Sequence, residues 1–259
     1  MPMTELLPAD VHGRTHRLEL ADSTLREWSA VVVHATGPGT TEPDAGPGIV
    51  LDRSAFYPGG GGQPPDYGVL LWGGVQTRIV GVRKGDDLVL IPAVGDPLPP
   101  IGTPVTGAVE DDRRTALMRT HSGLHLLSGV VFRDFGAQVT SASMEPLTGR
   151  VDFNLPDVPQ GFAALIEQAC AVEVAADRGI SAYVLPAAQA LAIPDIIRTA
   201  ANLLPPGLEV VRIVDIAGLD VQADGGTHVA STAAVGRIRI LKIESKGKGF
   251  RRLRVALES

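Results

Sequence analysis

The sequence has only one cysteine, Cys170, and aromatic residues make up just 4% of its 259 positions. A single cysteine cannot form an intramolecular disulfide, so a disulfide-held fold is excluded, and we expect Cys170 to lie in the core. No run approaches the roughly 18 apolar residues that a membrane-spanning helix needs. The first residues lack a basic region followed by an apolar core, so we expect no signal peptide, no membrane association and a cytoplasmic location.

The chain also lacks an excess of basic residues. Its 23 lysines and arginines are outnumbered by 29 aspartates and glutamates, which gives a formal net charge of -6. Because a protein that binds RNA is expected to carry a basic footprint, any nucleic-acid surface here must be local. Hydrophobic residues make up 44% of the chain, which excludes a largely disordered protein. The length suits two domains.

The first part of the chain alternates short apolar runs with glycine and proline turns, a pattern typical of β-structure. The runs that predict strands are Trp28–Ala35, Gly48–Asp52, Tyr67–Trp72, Val75–Val80 and Asp87–Ile91. Many short strands at this spacing indicate a small barrel or sandwich, and we predict a β-barrel domain over residues 1–105. The five prolines between Pro92 and Pro104 favour a domain boundary there.

The second part, residues 106–259, has an α+β pattern. Apolar residues at helical spacing predict a helix from Asp111 to about Phe135, and its two initial aspartates suit the positive end of the helix dipole. The other predicted elements are two strands within Gln138–Leu155, a helix over Gln160–Asp177, a strand over Ile180–Leu185, a helical patch around Asp195–Leu204, and strands over Leu208–Ile216, Val235–Ile243 and Phe250–Ala256. We therefore predict an α+β fold overall, with the helices of this second domain packed on a mostly antiparallel sheet.

Two pairs of potential metal ligands, each four residues apart, occur in the second domain. His121 and His125 share one face of the predicted helix, so both imidazoles can bind one ion. Asp224 and His228 flank two glycines, which allow a tight backbone path that turns both side chains toward one point. Histidines four apart on a helix are often accidental, and Asp224 could cap a turn while His228 lies buried in the sheet. Spacing alone leaves both readings open.

Five segments in a fixed order carry a family resemblance over nearly the whole length. They are Leu20–Glu27, Phe56–Pro64 with Asp66 and Gly68, His121–Leu127, Gly225–Val229 with Thr232 and Gly236, and Lys246–Leu253. Together they resemble the AlaX-type alanyl-tRNA editing proteins, free-standing relatives of the editing domain of alanyl-tRNA synthetase. The resemblance implies a zinc site built from two helix histidines and a Cys-x-x-x-His pair.

The sequence departs from that family at one ligand, because Asp224 stands where the family has cysteine. A carboxylate binds Zn²⁺ at about 2.0–2.2 Å and a thiolate at about 2.3 Å, so a ligand is kept but the set becomes harder. Such a set suits zinc and tolerates other first-row divalent ions. Asp224 could instead orient a histidine and leave a coordination position for water. We expect one divalent ion, zinc, bound by His121, His125, Asp224 and His228.

The resemblance implies trans-editing, the metal-dependent hydrolysis of mischarged tRNA(Ala), with Ser-tRNA(Ala) as the expected substrate and no obligate protein partner. Gln63 and Thr227 are polar candidates for catalytic positioning, although Thr227 could be an ordinary strand residue. The residues expected to meet the substrate or the tRNA backbone at the acceptor end are Gly60, Gly61, Gly62, Lys246, Lys248, Arg251 and Arg252. The alternatives for these groups are a floppy glycine turn and solvated edge-strand charges.

Two other functions stay open on the sequence. One is a metal-dependent hydrolase of the same fold that acts on a small ester or amide, which Asp224 and the acidic net charge favour. The other is a non-catalytic RNA-binding module with a vestigial site. Metal content separates the second from both enzymes, and salt-sensitive tRNA binding separates the two enzymes.

Overall fold

A computed structural model describes residues 11–37, 46–197, 199 and 207–258. The chain forms two compact units, Met1–Gly60 with Pro64–Arg114, and Gly61–Gln63 with Thr115–Ser259. The short segment Gly61–Gln63 thus belongs to the second unit, although its chain neighbours on both sides belong to the first. The domain boundary between residues 105 and 106 falls inside the first unit and stays a prediction.

The first unit is built around a closed β-barrel, as predicted. Its strands are β1 (Val11–His12), β2 (Thr15–Arg17), β3 (Glu27–Thr36), β4 (Gly48–Leu51), β5 (Arg53–Ser54), β6 (Gly68–Trp72), β7 (Val75–Lys84), β8 (Leu88–Pro92) and β9 (Pro104–Val109). The barrel runs in the order β3-β4-β8-β7-β6-β9, and β1, β2 and β5 form a small separate sheet. Alternate side chains of β3 and β7 are buried, which fills the barrel interior. The proline-rich stretch connects β8 to β9 within this barrel.

A buried ion pair fixes the base of the glycine-rich loop in the first unit. Arg114, which is fully buried, donates from Nε to both carboxylate oxygens of Asp66 at 3.0 Å. Asp66 in turn accepts the backbone N–H of Tyr57 at 2.6 Å, and its own N–H donates to the Tyr57 carbonyl at 3.0 Å. The two ends of the loop are therefore held together, so the glycines lie between fixed endpoints.

The second unit combines helices with antiparallel sheets. Its elements are α1 (Asp111–Phe135, with its first turn in the first unit), β10 (Val139–Glu145), β11 (Thr148–Phe153), α2 (Phe162–Ala175), β12 (Ile180–Pro186), α3 (Ala187–Ala190), β13 (Val210–Ile216), β14 (Asp220–Ala223), β15 (Arg237–Ser245) and β16 (Arg251–Glu258). One sheet has four strands in the order β10-β11-β16-β15, and the other has three in the order β12-β13-β14. Every pairing in both sheets is antiparallel, which confirms the predicted α+β fold.

The core of the second unit forms where α1 and α2 bury their apolar faces. Leu117, Leu127 and Val131 of α1 are buried in one cluster with residues of β10, β11, β15 and β16. Cys170 of α2 belongs to the same cluster, as expected, and burial raises the pKa of its thiol to about 12. The predicted helical patch at 195–204 lies largely outside the described residues, and its described part, 195–197 and 199, contains no helix. No helix of the described ranges is long and apolar enough to cross a membrane.

Candidate metal centre

The two predicted ligand pairs converge inside the second unit. His121 and His125 lie one turn apart on α1, and Asp224 and His228 belong to the loop that follows β14. Each of the four offers one ligand atom, and these atoms all lie within 4.8 Å of one another. The three histidines are buried, with exposed fractions of 3%, 8% and 7% in chain order. The four side chains therefore form a group that could hold a metal ion.

The Asp224 carboxylate faces the same nitrogen of all three imidazoles. Its Oδ1 lies 3.6 Å from Nε2 of His121 and 3.9 Å from Nε2 of His125, and its Oδ2 lies 3.0 Å from Nε2 of His228. A tetrahedral ion with bonds of about 2.0–2.2 Å has ligand atoms about 3.3–3.6 Å apart. The distance to His121 falls within that range, and the four ligand atoms lie within 4.8 Å of one another, so the side chains would draw slightly closer to bind a small divalent cation.

The opposite nitrogen of each imidazole faces its own polar side chain, and for His121 and His228 the contact lies within hydrogen-bonding distance. Nδ1 of His121 lies 2.9 Å from Oε1 of Gln63, and Nδ1 of His228 lies 3.1 Å from Oγ of Ser122. Nδ1 of His125 faces Oδ2 of the buried Asp220 at 3.7 Å. Metal-binding histidines commonly carry such an outer partner, which fixes the ring and leaves the inner nitrogen for the ion.

The loop between the second ligand pair is shaped by a glycine and an arginine. A Cβ on Gly226 would lie 2.2 Å from Cε1 of His121, so only glycine fits there, whereas a Cβ on Gly225 would meet nothing within 4 Å. The Gly226 N–H donates to Oδ2 of Asp224 at 2.6 Å. Nη1 of the buried Arg212 donates to the carbonyls of Asp224 and Gly226 at 3.0 and 3.1 Å. These bonds aim the Asp224 carboxylate at the histidines.

Burial and charge set the protonation of the cluster. Burial lowers the pKa of His121 well below its usual range and that of His228 to about 4, so both rings are neutral at pH 7. Burial opposes ionisation of Asp224, but the surrounding histidines outweigh it and hold the pKa of this carboxyl well below its ordinary value. For His125, burial is outweighed by Asp220 and Asp224, which raise its pKa. Two neutral imidazoles and a carboxylate are in the state that metal ligands require.

A cavity of about 610 Å³ adjoins the cluster within the second unit. His121, His125 and Asp224 contribute to its wall, together with the predicted loop residues Gly61 and Gly62. Apolar side chains form much of the rest, and hydroxyl and amide groups come from Ser128, Thr140, Ser141, Thr199 and Gln222. A small polar group bound beside the cluster would therefore sit in a mostly apolar pocket with a few hydrogen-bonding partners.

The glycine-rich loop divides between the two units. Gly60 belongs to the first unit, where its carbonyl accepts a hydrogen bond from the Tyr57 hydroxyl at 3.0 Å. Gly62 belongs to the second and has a φ of 88°, and a Cβ there would lie 2.6 Å from the Ala142 carbonyl oxygen. Its own carbonyl accepts the N–H of Met144 at 3.0 Å. This half of the loop is thus pinned to β10, and Gln63 follows it directly.

The predicted tRNA-binding residues lie on the hairpin of β15 and β16. Lys246 and Lys248 are exposed at its turn. Arg252 is instead paired with Asp152, to which it donates two hydrogen bonds of 2.7 Å. Arg251 donates to two backbone carbonyls, at 2.9 and 2.8 Å. The hairpin therefore presents exposed positive charge at the two turn lysines, whereas Arg252 is engaged by Asp152.

Sequence reasoning missed three residues that complete the cluster: Ser122, Asp220 and Arg212. Ser122 lies within the first histidine motif, and Asp220 lies four residues before Asp224. Neither residue has a recognisable role in the sequence, although both are close to the predicted ligands. Their contacts with the outer imidazole nitrogens depend on how α1 packs against β14, which spacing does not reveal. Gly129 of α1 lies close to Asp220, since a Cβ at this glycine would lie 3.1 Å from Cβ of Asp220.

The fold and site together define an α+β protein with a β-barrel unit and a buried three-histidine, one-carboxylate cluster. Its residues 211–254 match the family described as the threonyl and alanyl tRNA synthetase second additional domain. The alanyl-tRNA editing protein AlaX-M of Saccharolobus solfataricus is 34% identical over 241 residues, which cover 92% of this chain and 97% of that protein. AlaX-M of Methanosarcina mazei is 31% identical over 94% of this chain and 96% of its own length.

An alanine–tRNA ligase is also similar. The enzyme of Pyrobaculum neutrophilum is 33% identical over 243 residues, which cover 91% of this chain but only 26% of the ligase. The AlaX-M proteins, by contrast, are matched over nearly their whole length. The chain therefore belongs to the AlaX family of alanyl-tRNA editing proteins, as the sequence motifs indicated.

Proposed function

We propose that this protein is a trans-editing hydrolase that removes a wrongly attached amino acid, serine, from tRNA(Ala) in the cytoplasm. The observation that carries the proposal is the convergence of His121, His125, Asp224 and His228 beside a cavity, in a chain of the AlaX family. The names of its relatives, an alanyl-tRNA editing protein and an alanine–tRNA ligase, supply the substrate class.

The four clustered residues would hold one divalent ion, zinc. Such an ion supplies a Lewis acid that acidifies a bound water and polarises the ester carbonyl. The protein's own contribution is to keep the ligands in place. His121 and His228 stay neutral because they are buried, and Asp224 stays ionised and is oriented by the N–H of Gly226. The carboxylate keeps the group anionic where the family's cysteine thiolate would.

The cavity would receive the aminoacyl end of the tRNA. Its volume of about 610 Å³ exceeds that of a seryl group, so a terminal nucleoside can share the space. Serine differs from alanine by one hydroxyl, and a site that hydrogen-bonds this group rejects alanine strongly, because its own polar groups are then left unpaired. The wall has hydroxyl-bearing side chains at Ser128, Thr140, Ser141 and Thr199. The hydroxyls of Ser128 and Thr140 already donate to backbone carbonyls, so these two would accept a hydrogen bond from the serine hydroxyl.

The tRNA backbone would contact the β15–β16 hairpin at Lys246, Lys248, Arg251 and Arg252. Lysine and arginine bind phosphate through charge, and the exposed turn lysines carry the largest share in this proposal. Gly60, Gly61 and Gly62 would contact the substrate, because backbone without side chains permits a close approach to a ligand.

A small ester or amide is the second candidate substrate. The ion pair between Arg252 and Asp152 favours this second substrate class, because an arginine that is already paired with a carboxylate contributes less to RNA binding. The two candidates differ in one property. Binding of tRNA weakens steeply as salt rises, whereas binding of a small neutral ester does not.

The experiment that tests the proposal is the replacement of a ligand with the fold preserved. We expect His121→Ala and His228→Ala to lose deacylation of Ser-tRNA(Ala) while their circular dichroism spectra match the parent protein. His34→Ala, in a barrel strand of the first unit, is the matched histidine control and should retain activity. Full activity in either ligand variant would remove the proposed site.

A further inference from the structure

The side-chain amide of Gln63 makes three hydrogen-bond contacts. Its Nε2 donates to Oγ1 of Thr227 at 2.8 Å. Its Oε1 accepts the backbone N–H of Thr227 at 3.2 Å and lies 2.9 Å from Nδ1 of His121. Gln63 and Thr227 are 2% and 0% exposed, so these contacts are shielded from water. The amide of Gln63 therefore has one set of partners, all of them within the second unit.

This arrangement determines which atoms carry protons. A backbone N–H can only donate, so the amide atom that faces the Thr227 N–H must be the oxygen. Nδ1 of His121 shares that oxygen and must therefore donate to it, which places the imidazole proton on Nδ1. In a neutral imidazole the other nitrogen then carries the lone pair. That nitrogen, Nε2, is the one that faces Oδ1 of Asp224 at 3.6 Å.

We propose that Gln63, held by Thr227, is a positioning residue that locks His121 in the Nδ1–H form with Nε2 aimed at the metal centre. The described residues that line the cavity include Gly61 and Gly62 but neither Gln63 nor Thr227. Because both side chains are buried and Gln63 contacts His121 directly, the proposed effect on the metal centre passes through His121. The inference rests on the metal centre of the proposed function and is independent of the substrate's identity.

The hydrogen bond between Gln63 and His121 is closely packed. A Cβ on Gly226 would lie 2.9 Å from Oε1 of Gln63 and 2.3 Å from Nδ1 of His121, so the loop backbone covers this hydrogen bond directly. The carbonyl of Gly62, next to Gln63 in the chain, accepts a hydrogen bond from the backbone N–H of Met144 in β10. The end of the glycine-rich loop thus contributes Gln63 to the metal centre of the second unit, although most of the loop belongs to the first unit.

The test uses the full-length protein and zinc itself, measured by competition with a chelator. Gln63→Leu removes both functions of the amide, and we expect zinc to bind about 10–100-fold more weakly, as with other outer partners of metal ligands. In Gln63→Glu, one carboxylate oxygen can accept from Nδ1 of His121 and the other can accept from the Thr227 hydroxyl. The zinc affinity of this variant should therefore stay close to that of the parent protein. Thr227→Val, a nearly isosteric change, should reduce zinc affinity by a smaller factor. This variant replaces Gln63→Leu in the test if the leucine variant does not fold.

A second readout separates positioning from a general loss of structure. In the zinc-free protein, ¹⁵N resonances of the His121 ring should report the Nδ1–H form for the parent and for Gln63→Glu, and a mixture of forms for Gln63→Leu. Deacylation by Gln63→Leu should recover at saturating zinc with KM unchanged. Unchanged zinc affinity and ring form in Gln63→Leu would overturn the inference, as would a raised KM with zinc affinity intact. Zinc retained by His121→Ala would instead overturn the metal centre.

Discussion

Oδ2 of Asp224 lies 3.0 Å from Nε2 of His228, four residues further along the same loop. The same carboxylate faces Nε2 of the other two clustered histidines, His121 and His125. Nδ1 of His121 lies 2.9 Å from Gln63, and Nδ1 of His125 faces Asp220 at 3.7 Å. A carboxylate that only oriented one histidine would meet the outer nitrogen of that ring. Asp224 lies on the inner side of all three, which is the position of a ligand and supports direct binding to the ion.

Replacement of Asp224 tests this direct role. We expect Asp224→Cys to retain zinc, because a thiolate is also an anionic ligand with a bond of about 2.3 Å. Asp224→Ala should bind zinc far more weakly, since it removes the single anionic ligand of the set. Zinc content after dialysis is the measurement, with the exposed Asp157→Ala as control. Loss of zinc from the cysteine variant would contradict direct ligation and favour an orienting role.

The neighbouring glycines of the ligand loop give a matched pair of substitutions. Gly226→Ala should displace His121 and lower zinc affinity, because its Cβ would lie 2.2 Å from Cε1 of the ring. Gly225→Ala adds the same methyl group one residue away, where nothing lies within 4 Å, and should bind zinc normally. Chelator competition on both proteins checks this. Equal zinc affinities of the two variants would show that the backbone at Gly226 does not position His121.

The turn lysines of the last hairpin are expected to set the salt dependence of tRNA binding. Removing Lys246 and Lys248 together should weaken binding and make the slope of log K against log salt shallower by roughly 1.4–1.8, the contribution of two phosphate contacts. Lys242→Ala is the control, because Nζ of Lys242 lies 2.9 Å from Glu244 and its charge is already paired. An unchanged slope in the double variant would place the tRNA on another surface.

Glu173 on α2 should make stability depend on pH. Burial opposes its charge, but Arg178 and Arg133 outweigh this and hold the pKa of Glu173 below its ordinary value. A lowered pKa in the folded state stabilises the protein above the unfolded pKa, and this contribution is lost as pH falls through the folded pKa. Glu173→Gln should therefore cost about 1–3 kcal/mol of unfolding free energy at pH 7.

Urea unfolding of Glu173→Gln at several pH values measures this effect. The difference from the parent should shrink once the pH falls below about 4, because the carboxyl of the parent is then increasingly protonated. Asp157→Asn, an exposed substitution, should show little difference at any pH. A difference for Glu173→Gln that persists unchanged into acid would mean that packing, and not charge, accounts for the loss.

Much of the architecture followed from periodicity. The helix predicted over Asp111–Phe135 matches α1, because its apolar residues recur at helical spacing and its aspartates mark the start. The barrel was recognisable from short strands separated by turns. Strand β9 was not predicted, since Pro104 and the prolines before it resemble a linker. Its pairing with β3 and β6 is a contact between distant parts of the chain, which a local pattern does not show.

The candidate site was predictable in its inner residues and not in its outer ones. The spacing of four residues made the three histidines and Asp224 candidates, and the resemblance to the AlaX-type proteins selected the metal reading, because each pair lies within a short motif. Gln63 was expected to position the reacting groups, but its partner His121 is 58 residues away, so the contact had to come from the fold. Asp220 was passed over for the same reason, because its approach to His125 depends on how β14 packs against α1.

The most direct test of the central claim is hydrolysis of Ser-tRNA(Ala) beside Ala-tRNA(Ala) by protein of measured metal content. We expect rapid loss of the serine ester alone, abolished by a chelator and restored by zinc. No hydrolysis of Ser-tRNA(Ala) by metal-loaded protein would contradict the editing function and favour a small-molecule substrate. Protein that binds no metal would contradict the catalytic centre itself and favour a vestigial RNA-binding module.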